Sequence, residues 1–268
     1  MNKVAIFGAN GMLGSMLCNV LRDAHFEVIA LSRSNFDIGS KPFEEAIPLI
    51  KSAKIVINCS GILSSQFSKH TPEQIIAVNS LFPQNLSRFC HQENKQLILI
   101  SSDGVFSAGR GEYLENDYPN ATDLYGLSKA SGESPLAMTL RVSIIGEEKE
   151  NQRSLIAWMK QQRGGEVTGF SNQLWNGVTT LTLASAIKEI LGRELYKPGI
   201  FHFHSPTTVS KYELLLLINE IYRLNIKVKE GHGQQSLRTL SSNYSLAHDL
   251  CPSDITEQLI KLEKQPPQ

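Results

Sequence analysis

The chain has 268 residues, 41% of them hydrophobic, enough for one large α/β domain, or one domain plus a small lobe, around a sizeable core. Lysine plus arginine (26) balance aspartate plus glutamate (26), which removes the electrostatic case for nucleic acid or an acidic membrane as the main partner. No apolar run approaches the ~18 residues a bilayer span needs, and Cys18, Cys59, Cys90 and Cys251 show no CxxC spacing, so neither a zinc site nor a disulfide framework is expected and the bland prior is a cytoplasmic enzyme. The first element is Val4-Ala5-Ile6-Phe7, an apolar run of strand formers so close to the start that a cleaved signal peptide is not expected.

That strand empties into Gly8-Ala9-Asn10-Gly11-Met12-Leu13-Gly14, after which helical periodicity begins at Met16-Leu17 and Val20-Leu21. A strand, a tight glycine turn and a helix are what a dinucleotide pyrophosphate requires. The phosphates lie on backbone N–H groups at a helix N-terminus, and side chains at the glycines would hold them off. Gly8, Asn10, Gly11, Met12, Leu13 and Gly14 are therefore candidate cofactor contacts. The next strand, Val28-Ile29-Ala30-Leu31, ends in Ser32-Arg33 where an acidic residue would favour NADH. A hydroxyl and a guanidinium suit a 2′-phosphate, so NADPH is expected, with NADH as the alternative. Asp37-Ile38 either reaches the adenine edge of the same cofactor or, through Asp37, caps the segment Lys41–Lys51.

Ile55-Val56-Ile57-Asn58 is a third buried strand, and Cys59-Ser60-Gly61 after it are small enough to let a ligand close to the backbone. One helix is expected from about Pro72 to Val78, ending at Asn79, and another from about Pro83 to Gln92. Leu97-Ile98-Leu99-Ile100 is an uninterrupted apolar strand, as when helices cover both faces. Strand and helix alternating four times predict a doubly wound parallel α/β sheet.

Ligands in such sheets gather beyond the carboxyl ends of the strands, which makes Ser102 a candidate donor or, on the plainer reading, a turn cap. Tyr125-Gly126-Leu127-Ser128-Lys129 puts a phenol and an ammonium one helical turn apart. A cation beside a tyrosine is expected to lower its pKa from about 10, making it a better proton shuttle. In that arrangement Tyr125 protonates a carbonyl that receives hydride, Lys129 tunes it and holds the nicotinamide ribose, and Ser102 polarises the oxygen.

Downstream, Thr139–Gly146 reads as a further strand, Glu147–Arg153 as a polar surface loop, and Leu155–Met159 as a helix. Phe170–Thr180 alternates amides with Trp175, either for recognition of a sugar or base or as a loop with one anchoring aromatic. Helices are expected at Leu181–Leu191, Tyr212–Tyr222 and Ile255–Leu262, a strand at Ile200–His204, a polar turn at Gly231–Gln235 and a frayed tail at Gln265–Gln268. His202 and His204 fall on one strand face, but no third ligand lies near, so no metal site is expected.

The glycine turn, Asn58-Cys59-Ser60-Gly61, Ala77-Val78-Asn79, Ile100-Ser101-Ser102-Asp103-Gly104-Val105-Phe106 and Tyr125-Gly126-Leu127-Ser128-Lys129-Ala130-Ser131-Gly132-Glu133 stand in the order found in extended short-chain dehydrogenase/reductases. More narrowly, the chain resembles the dTDP-4-dehydrorhamnose reductase branch. The resemblance implies an NAD(P)-binding Rossmann domain over residues 1–150 and a smaller substrate lobe over 151–268, with some segments returning to the first domain. It implies Ser102, Tyr125 and Lys129 as catalytic residues, with Asn79 and Ser101 added to the cofactor contacts. On the substrate side it implies Ser102, Asp103, Gly104 and Val105, with Arg238 either pairing with a diphosphate or facing solvent; Trp175 and Asn176 are substrate candidates from the composition of Phe170–Thr180 alone. The activity implied is NADPH-dependent reduction of a nucleotide-linked 4-keto-6-deoxy sugar for surface polysaccharide, the protein working as a homodimer in some relatives. Epimerases or dehydratases of the same fold, and non-catalytic regulatory subunits that bind a dinucleotide, are the alternatives. Gly104 departs from the branch, which usually has an aromatic residue there.

Overall fold

The computed structural model describes residues 3–148 and 154–265. The loop expected over 147–153 and the tail over 265–268 therefore lie, apart from Glu147, Glu148 and Gln265, outside the described residues. The first half runs β1 (Lys3–Phe7), α1 (Met12–Asp23), β2 (Glu27–Leu31), α2 (Ile47–Ile50), β3 (Ile55–Asn58), α3 (Pro72–Ile76), α4 (Phe82–Gln92), β4 (Gln96–Ser102), α5 (Leu124–Ser131) and β5 (Met138–Val142). It continues through β6 (Ile144–Ile145), α6 (Leu155–Gln161), β7 (Glu166–Phe170), β8 (Gln173–Trp175), β9 (Val178–Thr179), α7 (Thr180–Gly192) and β10 (Gly199–His202). The last elements are β11 (Val209–Ser210), α8 (Lys211–Ile221), β12 (Lys227–Gly231), β13 (Ser236–Leu237), α9 (Leu246–Leu250) and α10 (Ile255–Lys264).

Six strands in the order β10-β5-β4-β3-β1-β2 form one sheet, every pairing parallel. The period-two rule sorts its side chains onto two cores. Val4, Ile6, Ile55, Ile57, Ile98 and Leu140 pack under α1 and α7, while Ala5, Phe7, Val56, Leu97 and Leu99 pack under α2 and α4. On the second face Phe7, Phe36 and Phe82 meet at centroid distances of 4.9 to 6.2 Å, edge-on or tilted, each pair contributing about 0.5–1.5 kcal/mol beyond its buried area. Both β10 and α7 lie after residue 150 yet complete the sheet and one of its covering layers. Smaller sheets, β11-β8-β13, β12-β7 and β6-β9, are built from the remaining strands. No helix among the described residues is long and apolar enough to cross a membrane.

Helix α1 buries Leu13, Met16, Leu17 and Leu21. It stops where His25 takes a left-handed φ of 63° and the amides of His25 and Phe26 return to Arg22 and Leu21, a Schellman arrangement.

Three local expectations change. The helix expected to end at Asn79 runs on through a π-helical turn, Ala77–Leu81, into α4. Pro83 has no N–H for the carbonyl of Asn79, and the widened turn absorbs that mismatch. Gly132 packs against the freed carbonyl, since a Cβ there would stand 2.1 Å from it. The strand expected over Thr139–Gly146 leaves the main sheet at Ser143, and Ile144–Ile145 pairs with β9 instead. Asp37 caps no helix: its carboxylate accepts from the amide of Gly39 at 3.1 Å in an Asx turn, and Pro42 precedes the 3-10 turn Phe43–Ala46 that leads into α2.

Candidate active site

The glycine turn lies over the carboxyl edge of the sheet. Gly8 has φ +76°, and a Cβ on it would come within 2.8 Å of the Ser60 amide nitrogen, so only glycine lets β1 cross the end of β3. A Cβ on Gly14 would stand 2.1 Å from the Gly8 carbonyl, which brings α1 down onto the turn. Gly11 is the N-cap, with no capping side chain and no acidic residue in the first turn, so the free amides and the positive end of the helix dipole face outward. Asn10 and Gly11 are exposed and Met12 half-buried; Leu13 is buried in the core, leaving only its backbone to a ligand.

At the end of β2 the amide and hydroxyl of Ser32 both bond the Asn35 side chain at 3.1 Å, and Arg33 is exposed beyond that turn. Ile38 packs with Ile62, Ile75 and Val78. At the end of β3, Asn58 accepts from the Ser60 amide at 3.1 Å and from its hydroxyl. Asn79 is 1% exposed and spends its amide on the Ile62 backbone, at 2.8 and 3.0 Å, and on the Ser128 hydroxyl at 3.1 Å. It ties the loop after β3 to α5.

Helix α5 starts at Asp123, whose carboxylate accepts from the Gly126 amide at 2.9 Å. One turn in, Lys129 sends its Nζ to the Ile100 carbonyl at 2.8 Å, and that ammonium stands 3.8 Å from where a Cβ of Gly61 would be. Burial pulls the lysine down to about 8, against the pull of Glu133 and Cys59. Burial pushes the Cys59 thiol up.

Ser102 does cap a turn, its hydroxyl accepting from the Gly104 amide at 2.9 Å and donating to Asp103 at 3.1 Å. It also faces Tyr125, whose ring lies against Gly104. The expectation that a cation lowers the Tyr125 pKa is not met. Burial pushes the phenol up to about 12; Ser102 and the charge of Arg238 favour the phenolate, while Asp103 and Asp123 oppose it. Burial likewise raises Asp103, opposed by Ser102, Arg238, Ser143 and the Gly104 amide.

The charge of Arg238 thus acts on Asp103 and Tyr125, and its Nε is buried with no hydrogen-bond partner among the described residues. Trp175 reaches the same group indirectly, its Nε1 donating to Ser143 at 2.9 Å, and Ser143 in turn bonding Asp103. Ser143 escaped the sequence reading; its one signal is its place at the carboxyl end of a sheet strand. Other expected residues stand apart from this cluster. Asn176 is buried with its amide closed on the Leu240 backbone at 2.7 and 3.0 Å. Val105 packs in a core with Phe106, Tyr113 and Leu240. The Ser101 hydroxyl donates to Glu133 at 2.6 Å beneath the site.

Comparison with known proteins bears on this arrangement. A family model described as the RmlD substrate binding domain matches residues 1–238. The dTDP-4-dehydrorhamnose reductase of Aggregatibacter actinomycetemcomitans is 28% identical over 237 residues, covering 81% of this chain and 78% of that protein. The spore coat polysaccharide biosynthesis protein SpsK of Bacillus subtilis (strain 168) is 27% identical over 231 residues, covering 82% of this chain and 79% of that one. In fold, the chain is similar to the dTDP-4-dehydrorhamnose reductase of Bacillus anthracis str. Ames solved in complex with NADP, with a TM-score of 0.85 and 20% identity over 99% of this chain and 100% of that one.

Proposed function

The chain belongs to the RmlD substrate-binding domain family, and on that premise we propose that it is an NADPH-dependent oxidoreductase of the extended short-chain type. It reduces a 4-keto-6-deoxy sugar carried on a nucleoside diphosphate, dTDP-4-dehydrorhamnose or a near relative, to supply a surface-polysaccharide precursor. The observation that supports this reading is the approach of Ser102 to Tyr125, with Lys129 one helical turn further along α5 and bonded to Ile100, at the carboxyl edge of one parallel sheet.

The residues present fit a phosphorylated dinucleotide. The uncapped start of α1 suits the pyrophosphate, a Cβ at Gly8 or Gly14 would collide with backbone, and the Ser32 hydroxyl and Arg33 guanidinium suit a 2′-phosphate. When bound, NADPH supplies the hydride for the keto carbon. The remaining work falls to the chain. Tyr125, kept protonated by burial well above neutral pH, gives its proton to the sugar oxygen as charge develops there. Ser102 turns its hydroxyl proton from Asp103 to the same oxygen, and Lys129, anchored on Ile100, holds the ribose. Arg238 offers its unpartnered Nε to the diphosphate, and Asp103, with Trp175 behind it through Ser143, lines the sugar side.

A panel of nucleotide 4-keto sugars assayed for NADPH oxidation tests the reading. One NADPH consumed per product supports it. Turnover without net oxidation would mean epimerase or dehydratase chemistry, and no turnover on any member would favour the regulatory-subunit alternative. The same proposal includes a cytoplasmic location, and also a homodimer through the face of α5; the exposed Leu127 on α5 and Leu81 on the neighbouring turn support the dimer. Sedimentation of Leu127→Glu, expected to be monomeric, tests the dimer.

A further inference from the structure

A buried polar cluster touches the active site only through Glu133, which bonds Ser101 and acts on Lys129; its other members have no role in the chemistry above. Arg141 on β5, 1% exposed, binds both carboxylate oxygens of Glu133 at 2.7 and 2.8 Å and places Nη1 3.3 Å from Nε2 of His202 on β10. On the other side of the ring, Nδ1 of His202 lies 3.0 Å from the Tyr113 carbonyl and 2.8 Å from that of Ser241. The tautomer follows from the partners. Two carbonyls face Nδ1, so the proton is there; a guanidinium only donates, so Nε2 accepts and the ring is neutral.

The segment held this way carries Arg238. Leu237 bonds the Ala108 carbonyl at 2.8 Å, Thr239 accepts from the Tyr113 amide at 3.0 Å, and Ser241 donates to Tyr113 at 2.8 Å. Glu115 accepts from the Ser242 hydroxyl, from the Asn243 amide at 2.9 Å and from the His202 amide at 3.0 Å. One N–H of His202 thus bridges the Tyr113 and Ser241 carbonyls across the join between the 113–115 loop and the strap 237–243, beside the direct bond from the Ser241 amide to Tyr113. The Nε of Arg238 has no partner among the described residues, and the backbone bonds of Leu237 and Thr239 on either side fix where its side chain starts.

We propose that His202 is a positioning residue for the nucleotide sugar, closing the strap 237–243 onto the sheet so that Arg238 stands beside Asp103 and Tyr125. The inference rests on the reading that Arg238 meets the substrate diphosphate. It assigns to a buried side chain on β10, remote from the reacting atoms, control of substrate affinity with little control of cofactor affinity.

The test compares His202→Leu, which removes the joining N–H, with His202→Asn, whose amide offers one in the same direction. In the Leu variant the amides of Ser241 and Asn243 are expected to exchange hydrogen about 10-fold faster. The KM for the keto sugar is expected to rise about 10-fold while the NADPH Kd stays within about 2-fold, and Asn is expected to restore most of the loss. In an Arg238→Ala background, His202→Leu is expected to add nothing further, because the path is already cut. Faster exchange with an unchanged KM, an equal loss of NADPH affinity, or a full effect without Arg238 would each overturn the proposal. Should the parent enzyme reduce no keto sugar, the proposed reaction fails by itself, and the Kd for dTDP replaces KM with the same expected and overturning outcomes. If His202→Leu does not fold, Glu115→Gln, which loosens the strap at Ser242 and Asn243, is read in its place.

Discussion

The ring of Tyr125 rests on Gly104 so closely that a Cβ at residue 104 would stand 2.8 Å from Cε1 of the tyrosine and 3.1 Å from the Ser102 hydroxyl oxygen. Glycine here sets how deeply the phenol sinks toward Ser102, and depth is what raises its pKa to about 12. Gly104→Ala is expected to tilt the phenol outward and lower kcat about 10- to 100-fold, with NADPH affinity unchanged. Single-turnover reduction and a cofactor titration check it; wild-type turnover would mean that the depth of the ring does not matter.

Tyr125→Phe removes the proposed proton donor and keeps the ring. Turnover is expected to fall ~10²-fold or more while NADPH binding is nearly unaffected. Steady-state kinetics with a cofactor titration decide this, and activity equal to the parent would eliminate Tyr125 as the acid.

Lys129 carries a pH signature. Its folded pKa of about 8 lies below its ordinary 10.5, so between those values the unfolded chain binds the extra proton. Stability from this group therefore increases as pH rises through that window, and is lowest below it, where the buried ammonium is charged in both states. Thermal melts at about pH 7 and about pH 10 are expected to show this rise in the parent relative to Lys129→Met, which also loses activity. An identical pH response in the two proteins would contradict it.

Arg33 is exposed at the end of β2, free to meet a 2′-phosphate. Arg33→Ala is expected to reduce the preference for NADPH over NADH about 10-fold, mostly by weakening NADPH. Titrations with both cofactors measure it, and an unchanged ratio would assign the residue to solvent.

Glu133 and Arg141 form an ion pair with side chains 5% and 2% exposed. Glu133→Gln leaves the guanidinium buried beside a neutral partner and is expected to cost about 3 kcal/mol in urea denaturation. A loss well under about 1 kcal/mol would show that water or a neighbour compensates the charge.

Much of the fold, and the elements that carry the candidate site, was legible because the signals are local. The strand, glycine turn and helix over residues 4–21 follow from an apolar run, three small residues and a helical period. The placing of Tyr125 and Lys129 on one helix, α5, follows from a spacing of one turn. The alternation of β1, β3 and β4 with helices implied a parallel sheet. What stayed hidden depends on residues far apart in the chain. Asn79 looked like a helix end, and only its contacts with Ile62 and Ser128, together with a proline four residues on, make it a clasp inside a continuous helix. Asn176 lies in a stretch whose composition suits either sugar recognition or an ordinary loop, and only the fold closes its amide on Leu240.

By itself, then, the order of residues determined the parallel sheet and its glycine-lined edge, because each is written in periodicity or short spacing. Tertiary structure alone decided the direction of the Tyr125 pKa, the joining of Trp175 to Asp103 through Ser143, and the approach of Arg238 to the site. Those outcomes depend on desolvation and on bonds between residues many tens of positions apart, and burial and long-range pairing leave no mark on any short stretch of sequence.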